Sequence, residues 1–157
     1  MSGNKYKLDP ISLAFYSEKE LVEILTNISE ESESYVTDNS IELASKIVLL
    51  SDAQTIMVEL LSRAEQAYEN HKLHAESEQA VKSKQFREDW ENEHPGITKY
   101  PASSYFENLA KGETRNLWEK VNESNVRYKR FKNLRDNYET KINASKKLLA
   151  TLEMINY

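Results

Sequence analysis

Two histidines three apart with a glutamate four further on, His71, His74 and Glu78, have the spacing that on a helix places three metal-ligating side chains on one face. Structural zinc normally takes four ligands, and the chain has no cysteine to supply a thiolate, so neither a metal nor a cofactor is expected. Glu88, Asp89, Glu91 and Glu93 surround Trp90 and gather the carboxylates that acid and base catalysis uses. That chemistry needs a water-poor pocket that moves the pKa values apart, and the end of a helix pair offers no such enclosure. The three glycines, Gly3, Gly96 and Gly112, stand alone, so no loop cradles a phosphate, and neither a G-x-S-x-G elbow nor a dinucleotide fingerprint is present. The expectation is a protein that is not an enzyme and has no small-molecule substrate.

Charge is divided unevenly along the chain. Residues 1–113 carry 11 basic and 21 acidic side chains, whereas residues 114–157 carry 10 basic and 5 acidic ones. Within the basic segment Arg127, Lys129, Arg130, Lys132 and Arg135 interleave with Tyr128, Phe131 and Tyr138, and Lys141, Lys146 and Lys147 follow. Basic side chains displace counterions from phosphates, and aromatic rings stack on unpaired bases. Arg127, Lys129, Arg130, Lys132, Arg135, Tyr128 and Tyr138 are therefore the candidate nucleic-acid contacts, with single-stranded DNA or a nucleic-acid-processing protein as the expected partner. A competing reading is purely structural: the aromatic residues lie on a packing seam, the basic ones complement an acidic partner helix, and the net charge is −5. The acidic N-terminal stretch, with Glu18, Glu20, Glu23, Glu30, Glu31, Glu33 and Asp38, could imitate a phosphate backbone for a basic protein. Acidic residues also belong in the first turns of helices, where they complement the dipole.

The elements that carry these residues are helices. With 39% hydrophobic and 30% charged residues, three glycines and three prolines, the composition suits long solvated helices, and an elongated all-α protein is expected. Asp9-Pro10 opens a short helix to about Tyr16. Ser17 and Glu20 form a capping box for an amphipathic helix from about residue 18 to 29, and the acidic run 30–34 reads as a connector. Asn39 with Glu42 starts a helix that runs without a Gly or Pro to about residue 92, on the order of 80 Å. The stretch 93–101, with Pro95, Gly96 and Pro101, breaks it. Ser104 with Glu107 caps a short helix that Gly112 ends in the left-handed conformation, and Thr114 caps a last helix to about residue 155.

In the last helix Leu117, Val121, Tyr128, Phe131, Tyr138, Ile142, Leu149 and Leu152 keep a three-and-four spacing, with Ser124, Arg135 and Ser145 as polar interruptions. Ile47, Leu50, Met57, Leu61, Ala64, Tyr68, His71 and Ala75 keep the same spacing in the first long helix. The expected fold is a long antiparallel coiled-coil-like helical hairpin (39–157, turn at about 93–113), with short N-terminal helices (1–38) packed at one end. This pairing sets Trp90 and Phe86 near Trp118 and Leu61 near Ser145, so residues 41–50 overshoot the C-terminus. Their apolar face needs cover, either from Ile11, Leu13, Phe15, Leu21, Ile24, Leu25 and Ile28 or from a second chain. Ile41, Ile47, Leu50, Met57 and Leu61 are accordingly the candidate partner or oligomer interface, and a homo-oligomer is expected. No signal-peptide run or bilayer-length apolar segment is present, so a cytoplasmic location without membrane contact is expected.

The stretch Val126-Arg127-Tyr128-Lys129-Arg130-Phe131 through Asn143-Ala144-Ser145-Lys146-Lys147-Leu148-Leu149-Ala150-Thr151-Leu152-Glu153 resembles the closing helix of small helical-hairpin proteins of bacteriophages. Over residues 39–157 the pattern of long helix, glycine-containing break and second long helix is similar to that of the T-even phage recombination mediators. The resemblance implies a non-enzymatic accessory protein that helps a recombinase onto single-stranded DNA. Two further expectations compete: an anti-defence inhibitor, of the anti-CRISPR kind, acting by protein contact through the acidic region, and a coiled-coil structural or assembly protein built on residues 41–61.

Overall fold

The computed structural model describes residues 8–155. They form five α-helices: α1 (Pro10–Phe15), α2 (Glu18–Ser34), α3 (Ser40–Glu93), α4 (Ser103–Glu113) and α5 (Arg115–Ile155), and no strand occurs among the described residues. The protein is all-α. Its contacts divide it into two compact units, one taking in the chain up to Arg63 and again from Lys129, the other spanning Ala64–Tyr128.

The N-terminal helices start where side chains satisfy their free amides. Asp9 accepts from the Ser12 amide at 3.0 Å, with Pro10 at the first helical position. At α2 the Glu20 amide donates to Ser17 Oγ at 3.1 Å and the Ser17 amide to Glu20 Oε2 at 2.6 Å, a reciprocal capping box. The acidic run after Ser29 is helix, not connector, and α2 continues to Ser34. It holds neither Gly nor Pro, glutamate is a good helix former, and Ser32 and Ser34 hydroxyls donate to the carbonyls of Ser29 and Glu31. Asn39 Oδ1 accepts from the Ile41 and Glu42 amides to cap α3. Glu42 reaches back past Asn39 to the Val36 amide.

In the first unit Leu13, Leu21, Ile24 and Ile28 from α1 and α2 make one buried cluster with Ala53, Ile56, Met57 and Leu60 of α3, and Phe131 and Tyr138 of α5 pack against it. Arg63 Nη2 donates to the Leu13 carbonyl at 2.9 Å while its Nε pairs with Glu59 at 2.8 Å, which fastens the end of α1 to α3. Leu50, Met57 and Leu61 are 2%, 0% and 8% exposed. These three interface candidates are thus covered by the chain itself, Met57 within the cluster that α1 and α2 share with α3, and of the five only Ile41 and half-buried Ile47 remain accessible. The start of α3 does not overshoot α5, since Leu149 and Glu153 share a groove with Ile41, Ala44 and Val48.

In the second unit α3 and α5 run antiparallel, with Tyr68 stacked on Tyr128 (centroids 6.3 Å, planes 3° apart) and Trp118 Nε1 donating to Gln79 Oε1 at 2.9 Å. Trp118 therefore lies opposite Gln79, about ten residues from its expected place beside Phe86 and Trp90. The reason is α4. It doubles back along the end of α3 to bury Phe106, over which Arg87 sits at 5.5 Å and against which Trp90 packs edge-on at 6.5 Å. By the time α5 starts, the chain has already returned past the last turns of α3. Two expected caps also fail at this corner. Helix α4 starts at Ser103 after Ala102, with no side-chain cap from Ser104. Gly112 is helical, and Thr114, whose hydroxyl donates to the Ala110 carbonyl at 2.8 Å, closes α4 and leads into α5. Gly96 alone takes positive φ among the described residues, at 81°, in the turn after α3.

Candidate nucleic-acid interface on the closing helix

The helical period of α5 decides which of its residues reach solvent. Val121, Ile142 and Ser145 are buried, and Leu117, Ser124, Tyr128, Phe131, Arg135, Tyr138, Leu149 and Leu152 are half-buried, so the seam, with its three polar interruptions, faces inward as its spacing predicts. Two of the seven candidate nucleic-acid contacts are rings on that seam. In the second unit, Tyr128 is half-buried and stacks on Tyr68. In the first, the Tyr138 hydroxyl and Ser29 Oγ share a 2.5 Å hydrogen bond, and the ring packs against the N-terminal core. Both tyrosines contribute to packing, which their place on the three-and-four seam already signalled.

The cations are arranged differently. Lys129, Arg130 and Lys132 are exposed, as are Lys141, Lys146 and Lys147 further along the same helix. None of these six forms an ion pair among the described residues, although Lys141 lies 5.7 Å above the Tyr138 ring. Arg135 is half-buried and held by its neighbour, Nη2 and Nε lying 2.9 and 3.2 Å from Asp136 Oδ1. Arg127, in the second unit, is half-buried. From Lys129 to Lys147 the helix rises about 27 Å. Along this length only Asp136 and Glu139 carry negative charge. The result is a positive helix surface on a chain that is acidic overall.

The other clusters hold less chemistry. Among the described residues no group of three His, Asp or Glu side chains converges as a metal site, His71, His74 and Glu78 included. Glu88, Asp89, Glu91 and Glu93 are exposed. Trp90, which they flank, stacks on His94 at 4.5 Å, and His94 Nδ1 donates to the Trp90 carbonyl at 2.9 Å, closing the last turn of α3. A groove of about 610 Å3 in the second unit is lined by Gln79, Ser83, Lys84, Arg87, Glu107 and Trp118, with charges of both signs and no histidine to activate the Ser83 hydroxyl.

Sequence reading missed Asp52. Its Oδ2 is buried without a hydrogen-bond partner, and desolvation raises the carboxyl above its ordinary value. The available signal was a lone acid between Leu49, Ala53 and Ile56. In the first unit, Ile41, Val48 and Val58 of α3 are 77%, 59% and 54% exposed, on the side of the helix away from Leu50, Met57 and Leu60. No helix is long and apolar enough to cross a membrane among the described residues. Comparison with family models, curated proteins and solved structures finds no match to this chain.

Proposed function

We propose that this chain is a non-enzymatic accessory protein that binds DNA through the phosphate backbone, with α5 as the contact helix. What supports the reading is the set of six exposed cations on α5, Lys129, Arg130, Lys132, Lys141, Lys146 and Lys147, which have no carboxylate partner among the described residues. An ammonium or guanidinium group left in solvent loses little when it moves to a phosphate, and each contact releases condensed counterions. Because Tyr128 and Tyr138 are held in packing, the contact is electrostatic and carries no base readout. Single-stranded DNA of mixed sequence is the ligand to test first, with a duplex of the same length beside it.

The experiment is a binding titration over a salt series. With four phosphates neutralised, log K falls with log salt at a slope of about −3 on single strands and about −4 on duplex. The triple variant Lys129→Glu, Arg130→Glu, Lys132→Glu removes binding while leaving helicity intact. Absence of binding at low salt, or full binding by the triple variant, rejects the reading. A DNA-processing protein would then be sought as the partner of the same surface.

A further inference from the structure

The six exposed cations of α5 fall into two groups of matching layout, both within the first unit. Lys129 and Lys147 stand about five helical turns apart, about 27 Å, on the line of α5 opposite its inward seam. Arg130 and Lys141 lie on one shoulder of that line, about 17 Å apart, and Lys132 and Lys146 on the other, about 21 Å apart. Each end of the segment thus presents one cation on the crest and one on each shoulder. Between them the crest carries Asn133, Asp136, Thr140 and Asn143, all exposed, in an alternating four-and-three spacing. From Lys132 to Lys141, about 14 Å of helix, no cation is available to a ligand: half-buried Arg135 is held by Asp136 Oδ1 at 2.9 Å, and Glu139 is exposed.

We propose that α5 takes duplex DNA in preference to a single strand, crossing the mouth of the major groove so that each group of cations meets one of the two backbones. That preference rests on the DNA reading above and chooses between its two ligands. A single strand laid along α5 would bring phosphates over the stretch that holds Glu139 and no available cation, whereas a duplex opens its groove there and places no phosphate over it. The major groove is about 12 Å wide with a backbone on either side, and the long stems of Lys and Arg lean toward both walls from ends about 17 to 27 Å apart. The minor groove, at about 6 Å, is too narrow for this separation. Asn133, Asp136, Thr140 and Asn143 are short, so the middle of the helix approaches the groove mouth and meets it through water at any sequence. The contact stays electrostatic throughout. A single strand engages one group alone, and Lys129, Arg130 and Lys132, gathered within about 5 Å of helical rise, hold it better than Lys141, Lys146 and Lys147, which spread over about 9 Å.

The test titrates the full chain against one labelled strand and against its duplex over the same salt series, with helicity followed by circular dichroism. Dividing each salt slope by about 0.9 per phosphate for the duplex and about 0.7 for the single strand counts the contacts, and the duplex should show more of them. Two variants at exposed positions of α5 then separate the geometries. Lys146→Ala with Lys147→Ala should make the duplex slope shallower by about 2 and the single-strand slope by less than about 0.7, one contact. Glu139→Lys puts a cation in the gap, so it should steepen the single-strand slope by about 0.7 and leave the duplex slope as it was. As many phosphates on the single strand as on the duplex, a double variant that loses equally on both ligands or nothing on the duplex, or a steeper duplex slope for Glu139→Lys overturns the groove crossing and leaves the DNA reading standing. Failure of both ligands to bind at low salt removes the DNA reading itself, and the groove crossing with it.

Discussion

Replacing Leu21 by Ala tests whether the N-terminal helices are docked on α3 as the packing requires. Leu21 is 0% exposed and lies in the cluster with Ile24, Ile28, Ile56, Met57 and Leu60. Truncation removes three carbons, worth about 0.8 kcal/mol each in transfer free energy, so about 2.4 kcal/mol before any cavity is counted. The cavity raises the cost, because α2 also buries Ile24, Ile28 and Ser32 and cannot close the gap without losing contacts elsewhere; about 3–4 kcal/mol is expected. Ile11→Ala on α1 is the control, since Ile11 is 75% exposed and its loss should cost less than about 0.5 kcal/mol. The assay is urea unfolding by circular dichroism, read with amide exchange of residues 18–34 so that the transition of α2 itself is followed. A Leu21→Ala cost below about 1 kcal/mol, or equal costs for the two variants, would refute the docking of α2 on α3.

The remaining expectations concern single interactions. Tyr138→Phe keeps the ring and deletes its bond to Ser29, so it should cost about 1 kcal/mol of stability and leave DNA affinity unchanged; loss of affinity would give the hydroxyl a role at the ligand. Ser17→Ala removes half of the α2 capping box and should cost about 1 kcal/mol in the same unfolding assay. Asp52 has a folded pKa raised by burial, so its favourable contribution is complete below the usual carboxylate value of 3.8 and is lost as pH rises through the raised one. Asp52→Leu should therefore stabilise the chain at neutral pH and flatten the fall in stability as pH rises above 3.8; an unchanged pH profile would contradict the burial of its carboxyl.

Much of this protein follows from local pattern. The three-and-four spacing in α5 identified eleven inward positions from Leu117 to Leu152, polar Ser124, Arg135 and Ser145 included, because helical periodicity fixes a face regardless of what later covers it, while half-buried Trp118, Asn125 and Arg127 lie outside that spacing. The caps at Asp9, Ser17 and Asn39 were readable for a similar reason: each bond closes within three residues. Ser104 and Gly112 carried equally good local signals and did not act on them, since the burial of Phe106 against Trp90 and Arg87 and the closure at Thr114 set where α4 begins and ends.

The candidate site divides in the same way. That α5 carries cations interleaved with aromatics is a property of the sequence, but which of them reach solvent is not, since Lys132 stands one turn from Tyr128 and only the packed structure leaves the first exposed and the second half-buried. That the rings are engaged by Tyr68 and Ser29 required partners 60 and 109 residues away, which no local spacing specifies. Residues 41–61 gave the same ambiguity from the other side. An α3 apolar over more than half its circumference must be covered on several faces, and sequence alone cannot assign the covers. Tertiary structure assigned Leu50, Met57 and Leu61 to the chain's own core and left Ile41, Val48 and Val58 to solvent. Periodicity determines which residues of a helix share a face; only packing between distant segments determines what that face meets.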